Sequence, residues 1–288
     1  MTIIVTGASG KLGRATISEL LKTVAPSKIA AFVRDPAKVN DLLELGIDVR
    51  QGDYGDKESL VKAFKGVEKL LLVSGTVSPD RLNQQLNAIS AARDARVNHV
   101  VYTSIQRREA SGYFIPMVTD VDRATEAALK NSGGTYTIMQ NSLYLDVLPF
   151  TFAKNVLNEG IRLPGGPKGG ALAARSDLAS ANAIVLTEDG HNGKTYSLGA
   201  SETATYRDMA ATLSKVFGKD IRYSDIPVET FIIEKSAEGF PAEAARFLSE
   251  WLRALGDGEF GEVSGDLERI LGRKPITCDE FLTAHYTH

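Results

Sequence analysis

Three glycines at a spacing of three, in Gly7-Ala8-Ser9-Gly10-Lys11-Leu12-Gly13, constrain this chain more than any other feature. An apolar run at residues 3–5 stands directly before them. Directly after comes a segment whose apolar positions Leu12, Ala15, Ile17, Leu20, Leu21 and Val24 follow the helical period. In a strand–turn–helix context each glycine has a task. Gly7 permits a tight turn, Gly10 lets the main chain approach a pyrophosphate with no Cβ in the way, and Gly13 lets helix and strand pack closely. The helix N-terminus then offers unpaired N–H groups and a partial positive charge to an anion. A glycine turn that binds nothing is the competing reading, and the flanking strand and helix favour a nucleotide.

The pattern continues beyond the loop. Apolar runs at residues 29–33, 49–51, 70–73, 99–103 and 136–139 read as strands. Segments 12–24, 37–45, 58–64, 80–95 and 120–130 carry the three-to-four-residue period of helices. Strands that are near-continuous hydrophobic runs, each separated by a helix, imply a parallel sheet covered on both faces. The expected fold is therefore α/β, a Rossmann doubly wound parallel sheet. After Tyr144 the alternation stops at a glycine- and proline-rich stretch, 163–170, expected to be turn or loop. Ser176-Asp177 offers N-cap chemistry for a helix through Leu186, and residues 195–198 read as one more strand. Helices at 206–217, 228–237, 242–254 and 267–271 complete a smaller, mainly helical C-terminal lobe. The expected division is 1–148 with 175–200 for the dinucleotide-binding domain, and 149–174 with 201–288 for a substrate-side lobe.

Composition removes other classes. Lys plus Arg is 33 and Asp plus Glu 36, a net charge of −3, so no global field draws a polyanion and nucleic acid is not expected as a partner. One cysteine, Cys278, excludes an internal disulfide. His99 and His191 stand alone and His285 with His288 form a terminal pair, so no metal site is expected. No window approaches the roughly 20 apolar residues of a membrane helix and no leader is evident, so a cytoplasmic location without membrane contact is expected.

Cofactor choice is read at the end of the second strand, where an acid about 20 residues past the loop marks NAD-binding proteins. Here the run ends in Arg34, which can pair with a 2′-phosphate but offers no acceptor to ribose hydroxyls. NADP is favoured over NAD. The alternative is that Asp35 takes the ribose and Arg34 is a solvated charge. Lys11 adds a second positive charge in the loop. Asp53 is placed either to meet the adenine or to serve the turn Asp53-Tyr54-Gly55-Asp56.

These residues resemble the NmrA-like group of atypical short-chain dehydrogenases/reductases, and within it the bacterial NADPH-dependent quinone and triphenylmethane-dye reductases. The likeness runs through the glycine loop, Phe32-Val33-Arg34-Asp35-Pro36-Ala37-Lys38, Val49-Arg50-Gln51-Gly52-Asp53-Tyr54, Gly66-Val67-Glu68-Lys69-Leu70-Leu71-Leu72-Val73-Ser74, Tyr102-Thr103-Ser104 and Gly190-His191-Asn192-Gly193-Lys194-Thr195-Tyr196. It implies that Gly7, Ser9, Gly10, Lys11, Leu12, Gly13, Arg34 and Asp53 line the dinucleotide site. Ser74, Gly75, Thr103 and Ser104 then lie beside the nicotinamide end, and Asn141 and Tyr144 where cofactor and substrate meet. One departure stands out: relatives often carry a histidine three positions before Thr-Glu, whereas Asp122 precedes Thr125-Glu126 here. Either substrate choice differs or this is a variable surface position.

Alcohol–ketone chemistry in short-chain dehydrogenases needs a tyrosine with a lysine four residues later. The residues four positions after Tyr54, Tyr102, Tyr113, Tyr136, Tyr144, Tyr196, Tyr206 and Tyr223 are Glu58, Gln106, Met117, Gln140, Leu148, Ala200, Ala210 and Pro227, and Tyr286 lies too near the end. The missing dyad disfavours alcohol dehydrogenation and sugar epimerisation. Quinone reduction asks for less, because an aromatic ring spreads the anion that hydride addition forms and water can protonate it. The expected activity is NADPH-dependent hydride transfer to a quinone or similar flat acceptor, by a monomer or homodimer. Segment 106–117 would act as a lid, and Tyr113, Phe114, Tyr144, Phe150 and Phe152 would offer stacking surfaces. The alternative is a non-catalytic NADP(H)-binding redox sensor of the kind for which the family is named.

Overall fold

Every residue of the strand at Ile29–Val33 is buried, with no alternation, as a sheet covered on both faces requires. The computed structural model describes residues 1–108, 111–152 and 156–287. In chain order it begins β1 (Ile3–Val5), α1 (Lys11–Leu20), β2 (Ile29–Val33), α2 (Asn40–Glu44), β3 (Asp48–Gln51), α3 (Lys57–Phe64), β4 (Lys69–Leu72) and α4 (Arg81–Asp94). It continues β5 (His99–Ile105), α5 (Thr119–Lys130), β6 (Thr135–Asn141), α6 (Leu148–Thr151), α7 (Val156–Glu159), β7 (Ile161–Leu163), β8 (Gly169–Gly170) and α8 (Arg175–Thr187). It ends β9 (Lys194–Leu198), β10 (Ala204–Thr205), α9 (Tyr206–Phe217), β11 (Tyr223–Asp225), α10 (Val228–Ala237), α11 (Ala242–Gly256), α12 (Asp266–Leu271) and α13 (Cys278–Thr287).

Two compact units result. The first holds 1–105, 116–140 and 175–196; the second holds the described residues of 106–115, 141–174 and 197–288. Among the described residues seven strands form one sheet in the order β3-β2-β1-β4-β5-β6-β9. The pairs β2–β3, β1–β2, β1–β4 and β4–β5 all run parallel. The chain starts at β1, winds outward through β2 to β3, then returns to β4 on β1's other side. That reversal is the switch point outside whose carboxyl ends doubly wound sheets bind ligands. Alternate residues divide the two faces. Ile4, Phe32, Leu70, Leu72, Val100, Tyr102 and Ile138 pack with Leu60 and Phe64 of α3, Ala88 and Ala92 of α4 and Leu129 of α5. On the first unit's other helical layer, α1 and α8 pack together, and Asn182 Nδ2 donates to Thr16 Oγ1 at 3.3 Å.

The second unit is mainly helical. Its small sheets pair β8 with β10 antiparallel and β7 with β11 parallel. Residues 163–170 are thus not loop throughout: Leu163 ends β7, and Gly169-Gly170 form β8. Glycine is required there, since a Cβ on Gly169 would lie 2.2 Å from the Ala204 carbonyl oxygen. Ser176 and Asp177 do not cap α8, which starts one residue earlier and takes both into its first turn. The helix expected at 37–45 is a 3-10 turn over Pro36–Val39 followed by α2, and α1 stops at Leu20. The C-terminal α13 had no counterpart in the sequence reading.

The lone histidines are structural. Thr137 Oγ1 donates to the His191 carbonyl at 2.7 Å, so toward His99 Nε2, 2.8 Å away, it presents a lone pair. His99 therefore carries a proton on Nε2. Burial, with Lys69 and His191 nearby, pushes its pKa down from 6.5 to about 4. The unfolded chain takes up this proton below about pH 6.5 and the folded one only near pH 4, so stability falls as pH drops through that window. The slope is at most about 1.4 kcal/mol per pH unit. Chemical denaturation of wild type and His99→Gln between pH 7 and 4 checks this; the mutant's curve is expected to be flatter there.

Candidate functional site

The glycine loop connects β1 to α1 with the conformation its sequence asks for. Gly7 has φ +60, and its carbonyl accepts from Gly10 N at 2.8 Å, closing the turn. A Cβ on Gly13 would lie 2.4 Å from the Gly7 carbonyl oxygen, so only glycine lets α1 start this close to β1. Ser9, Gly10 and Lys11 are exposed, while Leu12 and Gly13 are buried. No side chain caps α1 and its first turn contains no acid. A helix start built this way has backbone donors and a positive dipole end for an external anion. Thr6 fixes the neighbouring strand end: its hydroxyl donates to the Leu71 carbonyl at 3.0 Å and accepts from Val73 N at 2.9 Å.

Arg34 follows β2 and is exposed, and its guanidinium makes no hydrogen bond or ion pair with the described residues. Asp35 is occupied locally. Its carboxylate accepts from Ala37 N at 3.1 Å and caps the 3-10 turn. Asp53, exposed after β3, accepts from Gly55 N through Oδ1 at 2.7 Å, and Asp56 caps α3 by accepting from Glu58 N and Ser59 N. The Asp53 turn is therefore formed.

Beyond β4, Ser74 N donates to Thr103 Oγ1 at 2.9 Å. Thr103 and Ser104 are buried near the carboxyl end of β5. Ser104 donates to Glu126 Oε1 at 2.5 Å, and Gln140 Nε2 donates to the same oxygen at 3.1 Å, so a buried carboxylate ties β5, β6 and α5 together. Sequence reasoning missed Arg81 here, and singled out Asp122 without its partner. Arg81 and Asp122 form an ion pair at 2.6 Å with 4% and 3% of their side chains exposed, and Tyr102 donates to the same Asp122 oxygen at 2.6 Å. Asp122 is thus no variable surface position. Burial pushes its pKa up, opposed by Arg81 and Tyr102. Arg81 gave no signal in sequence because its neighbours, Asp80 and Leu82, belong to an ordinary helix start.

In the second unit, Asn141 Nδ2 donates to the Tyr144 hydroxyl at 3.2 Å, and Asn141 Oδ1 and Ser142 Oγ are buried with no partner. Gln106 N donates to the Asn141 carbonyl at 2.8 Å, and Tyr144 bridges to Ala173. The expected lid over 106–117 includes residues 109 and 110, which lie outside the described residues. The described part in this unit is tied down. Arg108 N and Ser111 Oγ donate to the buried Glu259 at 3.0 and 2.5 Å, Gln106 Nε2 donates to Ser197 Oγ at 2.9 Å, and Tyr113 donates to the Glu250 carbonyl. Of the proposed stacking rings, Phe152 is 4% exposed and belongs to the core, whereas Phe150 and Phe114 are 72% and 50% exposed. Burial pushes Tyr113 up to about 12 and Tyr102 and Tyr206 up as well, the reverse of what a tyrosine acid would need near neutrality.

A reversed strand order, a glycine loop against α1 and a free arginine after β2 define a dinucleotide-binding protein of the Rossmann class. The chain belongs to the NmrA-like family, whose model matches residues 1–282. It is 36% identical over 280 residues to quinone oxidoreductase 2 of Escherichia coli, covering 96% of each chain. The crystal structure of an NADPH-dependent quinone oxidoreductase from Escherichia coli complexed with NADPH matches with a TM-score of 0.91 at 34% identity, over 99% of this chain and all of that one. The triphenylmethane reductase of Citrobacter sp. matches with a TM-score of 0.92 at 34% identity, over the whole of both chains. Among the described residues no helix is long and apolar enough to cross a membrane, and no cluster of three or more His, Cys, Asp or Glu could hold a metal ion.

Proposed function

We propose that this protein is an NADPH-dependent oxidoreductase that passes a hydride to a quinone or a similarly flat electrophilic acceptor. The observation that carries the cofactor choice is the free guanidinium of Arg34 beside an Asp35 already engaged in capping. The similar Escherichia coli enzyme crystallised with NADPH supports the same choice, and the similar quinone oxidoreductase and triphenylmethane reductase support the acceptor class. When bound, the reduced nicotinamide supplies the hydride.

The chain's residues then bind and orient. Gly7, Ser9, Gly10, Lys11, Leu12 and Gly13 hold the pyrophosphate against the start of α1, Arg34 holds the 2′-phosphate, and Asp53 stands at the adenine. Ser74, Gly75, Thr103 and Ser104 line the nicotinamide end. Asn141 and Tyr144 orient nicotinamide and acceptor, with the buried, unpartnered Asn141 oxygen available to accept from an amide. No protein acid is assigned to the acceptor anion, because a quinone spreads that charge and solvent can protonate it. Catalysis on this reading is largely positioning and exclusion of water. The activity would fall within the class of NAD(P)H-dependent quinone reductases.

The test is absorbance of NADPH mixed with the protein and a panel of benzoquinones and naphthoquinones. Oxidation above the protein-free rate is expected with at least one quinone. Tight cofactor binding with no accelerated oxidation would replace this reading by that of a redox sensor.

Arg34→Glu separates the two cofactors. Losing a charge-assisted contact worth about 1.5–3 kcal/mol, with like-charge repulsion added, weakens NADPH at least about tenfold, while NADH holds or improves because Glu can accept from the ribose hydroxyls. Fluorescence titration of both cofactors reads it. Equal loss of both, or no change in either, would remove the 2′-phosphate role from Arg34.

A further inference from the structure

We infer that Arg81 is the positioning residue of the nicotinamide end, a single buried guanidinium that sets the geometry of Ser74, Gly75 and the turn before α5. The inference rests on the proposed function only in taking Ser74, Gly75 and Thr103 to line that end of the cofactor. Four acceptors share this one fork. Nε donates to the Gly75 carbonyl at 3.1 Å, Nη1 to the Met117 carbonyl at 3.0 Å, and Nη2 to both Ser74 Oγ and Asp122 Oδ1.

Each contact restrains something that would otherwise be loosely held. Gly75 follows the end of β4 and has no side chain to anchor it, with open space out to 4.0 Å, beyond its chain neighbours, where a Cβ would stand; the Arg81 bond holds its carbonyl. Met117 sits at φ +59, a left-handed conformation that costs a side-chain-bearing residue about 1 kcal/mol or more and persists only where surroundings impose it. Its carbonyl bond to Arg81 supplies such a restraint immediately before α5. Ser74 is gripped twice, by Thr103 through its amide and by Arg81 through its hydroxyl.

Asp122 makes the arrangement possible. A lone arginine 4% exposed would be costly, and the first turn of α5 brings a carboxylate within 2.6 Å while Tyr102 takes up the same oxygen. The charge therefore cancels locally, and what the pair contributes to the ligand is shape. Lysine could keep the charge but cannot reach four acceptors lying in different directions, because its donors radiate from one nitrogen.

The experiment compares Arg81→Lys and Asp122→Asn with wild type, titrating NADPH and 2′,5′-ADP separately. The latter carries the adenosine 2′-phosphate end but no nicotinamide. Arg81→Lys is expected to weaken NADPH at least about tenfold while 2′,5′-ADP stays within about twofold. Asp122→Asn, which keeps an oxygen for Arg81 and Tyr102, is expected to fold and to lose less than Arg81→Lys for NADPH alone. Parallel loss of both ligands in Arg81→Lys would mean general structural damage and would overturn the inference. So would unchanged NADPH binding, or a wild type that binds NADPH no tighter than 2′,5′-ADP. Failure of every quinone to be reduced, with the binding split present, would count against the proposed reaction and leave the positioning role standing.

Discussion

The approach of Gly13 to the Gly7 carbonyl is the contact on which the dinucleotide site depends. A methyl group at Gly13 would have to sit 2.4 Å from that oxygen, so its absence sets how soon after β1 the helix can begin. Because the helix begins there, its unpaired amides open beside the carboxyl end of β1 and not some residues further on. Thr6 then holds that strand end to β4 through Leu71 and Val73, which places the reversal of strand order beside the helix start. Steric permission, helix electrostatics and sheet topology thus converge at the carboxyl end of β1 within the first unit.

The buried polar groups of that unit serve position more than proton transfer. Arg81 with Asp122 and Tyr102, and Ser104 with Glu126 and Gln140, are sets in which donors meet acceptors inside the protein. Satisfied networks of this kind fix a unique arrangement, and a half-satisfied one would be costly. The tyrosines with shifted pKa values move upward, Tyr113 to about 12, and no tyrosine has a lysine four residues on. A site rich in fixed geometry and poor in acids suits an acceptor that stabilises its own negative charge.

Much of the fold could be read from the chain where its signals are local. In the first unit β1 and β2 lie where continuous apolar runs put them, and in the second α9 and α10 match their periodic segments residue for residue. What escaped depends on remote partners. Gly169-Gly170 reads as loop until Ala204-Thr205, more than thirty residues away, pairs with it, and β7 is a strand only by virtue of β11. Asp122 carries the pattern of a helix surface, and nothing nearby in sequence announces that Arg81 meets it from another helix. For α13 a signal existed: Thr277 and Glu280 form a capping box, with Thr277 N donating to Glu280 Oε2 and Glu280 N to Thr277 Oγ1. The roles of Asn141 and Tyr144 came from family resemblance, and the structure adds the hydrogen bond that joins them.

On the proposed function, hydride would pass by positioning alone, without a protein acid. Single-turnover oxidation of bound NADPH by a naphthoquinone, with hydrogen or deuterium at the transferred position of the nicotinamide, tests it directly in wild type and Tyr144→Phe. Deuterium is expected to slow the step in both proteins, the rate to stay flat from about pH 6 to 9, and loss of the Tyr144 hydroxyl to cost no more than one hydrogen bond, about tenfold. A rate indifferent to deuterium, or one that collapses with the pKa of a single group and by more than about a hundredfold in Tyr144→Phe, would contradict it.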